Sequence, residues 1–451
     1  MTYRYRIALI FLAGFFIDCI NIFMSTIALP DIAQRLMVSS ANVVWVANSY
    51  ILGLTLVIPV SPWLAARFGA RNIIAASMLI FSAAALMSGL AGHFITLTLW
   101  RFLQGLGGGM LIPVGQALAV NLFQQQERAR LSTLIMSVAL IAPALAPVVG
   151  GAIVDSTSWR WVMLAPLPFS LATALLAAVW VKRPFPASAR PDLRGLLLVS
   201  LALALVLCGL SGYADAATKT LPLLTLLVGI LCGVGYLRYA RSRPDALIDV
   251  QLVRYPRMAF SLVVYYAIPG LFTGVNVLAA FWLQHYFGWS AEKTGALMLL
   301  YAAGALGAIL ACGRVYNRLG AARLFALGLL LHAAGIALLA LAHPHGGLFW
   351  LPMAYLLMGI GGGIGANTAQ TTALLDFTGE ALTRASVIWN LNRQVAFSFG
   401  AALLTLIFSI ARHYGSPTTA WPLTFIISAA LGLLPLLALL PLTKQRITHA
   451  N

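Results

Sequence analysis

The chain has 451 residues, of which 61% are hydrophobic and only 9% charged. Such a composition excludes a water-soluble globular protein. The net charge of +17 is no nucleic-acid signature either, because the charges fall in short gaps between apolar runs. No nucleic-acid partner is expected.

Apolar runs of membrane-spanning length fall at about 7–29, 43–63, 73–92, 95–119, 132–154, 161–181, 196–212, 221–239, 258–285, 292–312, 324–342, 348–373, 385–411 and 421–441. A span needs about 20 residues, so fourteen transmembrane helices are expected in an all-α integral membrane protein. The linkers are short, so no soluble domain is expected. The first run follows Arg4 and Arg6 and has no small-residue cleavage site after it. It is expected to stay in place as the first membrane helix. Cys19, Cys208, Cys232 and Cys312 all lie in apolar runs and are expected to be buried thiols without disulfide or metal spacing.

Orientation follows from Lys and Arg. With both termini cytoplasmic, one side collects Arg4, Arg6, Arg67, Arg71, Arg128, Arg130, Lys182, Arg183, Arg238, Arg241, Arg257, Arg318, Arg384 and Lys444, among others. The opposite side carries only Arg35, Arg160, Lys219, Lys293 and Arg412.

The fourth run holds the most unusual residue. Arg101 sits in Leu97–Gly115, otherwise apolar apart from Gln104 and a set of glycines. A guanidinium there costs at least ~2.5 kcal/mol unless it faces protein or water and has a partner. Gln104 lies one turn on, on the same face, and Gly105, Gly107, Gly108 and Gly109 allow another backbone close. This helix is therefore expected inside a bundle, with a polar face turned inward.

The chain repeats itself. Gly105-Leu106-Gly107-Gly108-Gly109 recurs 254 residues later as Gly359-Ile360-Gly361-Gly362-Gly363, and at the same spacing Phe123 matches Phe377 and Arg130 matches Arg384. Residues 1–181 and 258–451 then form two like-oriented six-helix halves, with two inserted helices in 182–257. Parallel repeats of this kind belong to transporters whose substrate site lies between the halves near the midplane.

Arg101–Gly109, RFLQGLGGG, resembles the R-x-x-Q-G-x-G-G motif of the major facilitator superfamily. Ser61–Asn72 resembles that family's loop motif G-x-L-x-D-R-x-G-x-R, with Pro62 for its Gly and Ala66 for its Asp. Ala142–Gly151, APALAPVVGG, is similar to its antiporter motif, with two glycines replaced by Ala142 and Ala146 and with Pro143, Pro147, Gly150 and Gly151 kept. The fourteen-helix pattern is similar to the drug:proton antiporter branch. That resemblance implies a multi-pass protein of the bacterial cytoplasmic membrane exporting small amphipathic compounds against protons by alternating access. Arg67, Gly69, Arg71, Pro143, Pro147, Gly150 and Gly151 would serve packing and conformational change. The branch has a carboxylate seven residues before an A-L-P, where this chain has Asn21.

Asp18, one turn earlier on the same face, is the only acid deep in any apolar run; Asp155 and Asp376 fall at run ends. An intramembrane carboxylate is a functional candidate by default, and Asp18 and Arg101 are the expected proton-coupling pair. The alternative for each is structural: an ion pair for Asp18, packing bonds to carbonyls for Arg101. Asn21, Gln104, Gln116, Asn276, Trp389, Asn390 and Arg393 are expected to line the substrate cavity, although such groups also bond across helices. Arg393 suits an anionic substrate group or a structural network.

No metal-ligand cluster, nucleotide-binding loop or catalytic triad appears, so neither a cofactor nor an enzymatic activity is expected. The expected partners are a small-molecule substrate, protons and the bilayer, with the chain a monomer. Two rivals stand beside drug export. One is export of a specific anionic metabolite or metal chelator. The other, from a different class, is a non-transporting membrane sensor or scaffold, which would need a soluble domain or long tail.

Overall fold

The computed structural model describes residues 2–38, 40–43, 45–124, 127–182, 192–215, 220–241, 243, 246–289, 291–342 and 348–439, and among them there is no strand. In hydrocarbon each backbone N–H and C=O must be satisfied within its own segment, which a helix does.

The first stretch of chain folds as α1 (Tyr3–Arg35), α2 (Ser40–Val43), α3 (Trp45–Val57), α4 (Ser61–Phe68), α5 (Ala70–Leu90), α6 (Phe94–Asn121), α7 (Arg128–Ser156), α8 (Trp159–Leu164) and α9 (Leu167–Trp180). The inserted pair is α10 (Leu193–Asp215) and α11 (Thr220–Arg241). Then come α12 (Pro256–Tyr265), α13 (Leu271–Phe281), α14 (Ala291–Leu319), α15 (Ala321–Leu339), α16 (Trp350–Leu374), α17 (Gly379–Tyr414) and α18 (Pro417–Leu433).

The described residues of the fourteen predicted runs are mostly helical. Ten helices among the described residues are long and apolar enough to cross a membrane, or eleven if α3 and α4, bent by 55°, form one span. That is fewer than fourteen. In α7 and α10 the apolar described stretches are shorter, Arg130–Ala139 and Arg194–Leu210. The far end of α16 carries Asn367, Thr368, Gln370, Thr371 and Thr372.

Local breaks have local causes. Gly69 joins α4 to α5 at φ 86°, and its counterpart Gly320 joins α14 to α15 at φ 75°. Both lie in the left-handed region that a side chain disfavours. A π turn at Tyr266–Gly270 separates α12 from α13 and contains Pro269. Proline has no N–H to give and its ring crowds the preceding turn, which widens the helix there.

The chain packs as two compact units. Unit 1 comprises Met1–Gln125, Leu145–Gln251 and Phe377–Gln394; unit 2 comprises Gln126–Ala144, Leu252–Asp376 and Val395–Asn451. α7 and α17 thus contribute to both. In unit 1, α6 is the centre: 83% of its apolar window is buried, against 11% for α11. α3 and α5 flank α6, and α11 packs on α10 with most of its surface left for lipid. In unit 2, α14 and α15 flank α16 in the same manner.

Candidate functional site

The glycine run of α6 sets up the site. A Cβ on Gly105 would lie 2.0 Å from the Tyr50 carbonyl oxygen, and one on Gly108 would lie 2.9 Å from the Tyr50 hydroxyl. Only glycine at these positions lets α3 come this near to α6. Ser77 of α5 closes the other side by donating to the Gly107 carbonyl at 2.6 Å. The result is a tight seam of α3, α5 and α6 that fixes Tyr50 beside α1.

Tyr50 donates its hydroxyl to Oδ1 of Asp18. The carboxyl is 2% exposed, and its Oδ2 has no hydrogen-bond partner. Oδ2 is thus the open position of a buried acid.

Arg101 lies on the far side of Tyr50, with its guanidinium carbon 4.5 Å from the ring centroid. Its Nε donates to the Val46 carbonyl at 3.2 Å and its Nη2 to Ser25 Oγ at 2.9 Å. Its Nη1 donates to Asn21 Oδ1 at 3.2 Å and to Gln104 Oε1 at 2.7 Å. Gln104 Nε2 also donates to Asn21 Oδ1, at 3.4 Å. Arg101 therefore ties α1, α3 and α6 together and meets Asp18 through Tyr50, not by an ion pair.

Arg393 is also in unit 1, on α17. It is 6% exposed, its guanidinium carbon stands 4.7 Å from the Phe15 ring centroid, and its Nε is unpartnered. Further along, Asn390 Nδ2 donates to Gln116 Oε1 at 2.7 Å and to the Ser386 carbonyl at 2.8 Å. Asn21, Gln104, Gln116, Trp389 and Asn390 are all buried in unit 1. Asn276 is half-buried on α13 in unit 2.

The loop-motif residues lie apart from this cluster. Arg67 is exposed at the end of α4 and Arg71 half-buried at the start of α5; among the described residues neither forms an ion pair. With Ala66 in place of an acid, no carboxylate is supplied at that point. A Cβ on Gly150 would lie 3.5 Å from Met24 of α1, an ordinary contact, and one on Gly151 would meet nothing within 4 Å. Pro143 and Pro147 fall within α7, with side chains outside the described set.

Unit 2 repeats the seam but not the acid. A Cβ on Gly359 would lie 2.1 Å from the Tyr301 carbonyl oxygen, and one on Gly362 would lie 2.7 Å from the Tyr301 hydroxyl. Tyr301 is thus the counterpart of Tyr50. It stacks on Phe272, with centroids 3.8 Å apart and planes 11° from parallel, and Phe272 stands 254 residues after Asp18. One unit presents a carboxyl to its tyrosine, the other a phenyl ring. His332 bonds the Met358 carbonyl through Nδ1 at 3.0 Å, and Trp282 is packed among Phe287, Trp421 and Phe425.

Sequence reasoning picked out Asp18, Arg101, Asn21 and Gln104 but missed Ser25 and Phe15. Ser25 stands one turn after Asn21 on α1, a helical spacing that signals a shared face.

The fold and this buried polar cluster define a helical, multi-span membrane protein. The profile of the Major Facilitator Superfamily matches residues 11–272 and again 258–450, and the chain belongs to that family. It is 30% identical over 395 residues to "Multidrug resistance protein B homolog" of Mycobacterium tuberculosis, covering 84% of this chain and 73% of that one. It is 27% identical over 455 residues to "Putative multidrug resistance protein MdtD" of Citrobacter koseri, covering 97% and 94%. In fold it is similar to the human organic anion transporter MFSD10, with TM-score 0.70 at 14% identity over 97% of this chain and 100% of that one. It is likewise similar to the proton:xylose symporter XylE, with TM-score 0.66 at 14% identity over 96% and 94%.

Proposed function

We propose that the chain is a proton-driven exporter of small amphipathic compounds, an antiporter and not an enzyme, in a bacterial inner membrane. Its two six-helix halves, 1–181 and 258–451, flank the inserted pair in 182–257. This gives fourteen spans, with both termini cytoplasmic and the chain a monomer. The observation that carries the reading is Asp18, a buried carboxyl on α1 with Tyr50 on one oxygen and the other oxygen open. Relatives named for multidrug resistance support the substrate class.

Asp18 takes the proton and Arg101 holds α1, α3 and α6 in the geometry that presents it. Asn21, Gln104, Gln116, Asn276, Trp389, Asn390 and Arg393 form the polar and aromatic lining met by the substrate. One proton entering down about 100 mV supplies about 2.3 kcal/mol. That energy sustains a substrate gradient of roughly fifty-fold.

The test is growth of an exporter-deficient bacterial strain on a panel of toxic lipophilic compounds, with and without this gene. Resistance that collapses on adding a protonophore supports the reading; an unchanged panel counts against it. A second reading, export of an anionic metabolite or metal chelator, is favoured by the buried Arg393 with its unpartnered Nε. Organic acids and chelators in the same panel separate the two.

A further inference from the structure

Two buried groups of opposite charge in unit 1 each keep one polar atom unbonded: Oδ2 of Asp18 on α1 and Nε of Arg393 on α17. A buried charged group left short of a partner is costly, so a pair of such vacancies is expected to have a use. The Arg393 guanidinium rests on the Phe15 ring, and Phe15 stands three residues before Asp18, on the same face of α1. The ring attracts the cation without consuming a hydrogen-bond donor. It parks Arg393 near the acid with its Nε–H unspent.

Four titratable or charged groups bear on Asp18 here. They are Arg393 from α17, Tyr50 from α3, Arg101 from α6 and Cys19, the next residue of α1. Tyr50 already bonds Oδ1. Arg101 uses four of its five N–H donors on Val46, Asn21, Gln104 and Ser25, and these hold it in place. Arg393 is the cation within electrostatic reach of Asp18 whose Nε–H has no acceptor.

We propose that Arg393 is the counter-charge that responds to the ionisation of Asp18. The ionised carboxylate draws the guanidinium off Phe15 onto its open Oδ2; a proton arriving from water at Oδ2 ends that attraction and returns Arg393 to the ring. This deepens the coupling reading and rests on Asp18 being the proton carrier. α17 belongs to unit 1 as far as Gln394 and to unit 2 from Val395. Arg393 is therefore the last cation of the helix on the unit 1 side, and the proton on Asp18 sets how firmly this part of α17 is held to α1. Arg101 is the fixed cross-link and Arg393 the movable charge.

The experiment follows the infrared carboxyl band of Asp18 across pH in the purified full-length protein, with the proton as the only ligand and Asp18→Asn to assign the band. Arg393→Gln is expected to hold the Asp18 proton at least about tenfold more tightly than wild type, the effect of losing a nearby opposite charge. Arg393→Lys is expected to stay within about threefold of wild type, and Arg101→Gln to change proton affinity less than Arg393→Gln does. Melting is recorded alongside, because a purely structural Arg393 would change melting without moving the titration. Arg393→Met stands in if the Gln variant does not insert. A folded Arg393 variant without charge that titrates like wild type overturns the inference and leaves the coupling reading standing. An Asp18 band that does not titrate in wild type overturns both.

Discussion

The Tyr50 ring lies between Asp18 and Arg101, bonding the acid through its hydroxyl and stacking under the guanidinium through its face. One side chain thereby touches both groups, which form no ion pair with each other. It leaves the acid with a single donor and one open oxygen.

Removing that donor tests the arrangement. Tyr50→Phe keeps the ring under Arg101 and deletes the hydroxyl. A hydrogen bond to a charged group contributes about 1.5–3 kcal/mol, so the variant is expected to melt lower and to change the pH profile of export. Adding Asp18→Asn to Tyr50→Phe is expected to cost less than the two single changes summed. Strict additivity would show that the two side chains do not interact.

Arg101 is expected to behave as a cross-link. Its guanidinium serves four acceptors on three helices, a task for a planar fork that an ammonium cannot match. Arg101→Lys and Arg101→Ala are both expected to lower the melting temperature and abolish export. Leaving buried acceptors unpaired costs about 1–3 kcal/mol. If Lys keeps normal melting and activity, charge alone suffices at this position.

The glycine seam gives a prediction with its own control. A Cβ at Gly105 would fall 2.0 Å from a backbone oxygen, whereas at Gly151 it would meet nothing within 4 Å. Gly105→Ala is expected to destabilise by about 1–3 kcal/mol or prevent insertion, and Gly151→Ala to melt like wild type. Equal effects in detergent melting curves would refute the close α3–α6 contact.

Topology is a separate question. Reporter fusions after residues 188 and 246 are expected to be cytoplasmic and one after 216 periplasmic, from the Lys and Arg distribution. Residues 188 and 216 lie outside the described residues. Fusions at 188 and 246 on opposite membrane sides would remove the two-helix insertion.

Asp18 and Arg101 stand out in the sequence because a charge in an apolar run is costly and rare, and Gln104 follows from helical spacing alone. The glycine repeat 254 residues apart announces two like seams, and the structure has both. What the sequence does not reveal is which groups meet. Tyr50 and Asp18 are 32 residues apart on different helices, and no spacing rule links α1 to α3. Phe15 carries no mark that separates it from the neighbouring phenylalanines until Arg393 is placed over it. The helix count is blurred for a related reason. A buried helix such as α16 needs less lipid-facing apolarity, so polar groups accumulate at its end.

In the proposed mechanism Asp18 carries the coupling proton. The most direct test is flux of a fluorescent lipophilic dye in membrane vesicles with an imposed pH gradient, comparing wild type with Asp18→Asn at equal protein. Wild-type flux is expected to rise and collapse with the gradient, and flux in the folded Asn variant to be independent of it. Gradient dependence in Asp18→Asn equal to that of wild type would contradict the account.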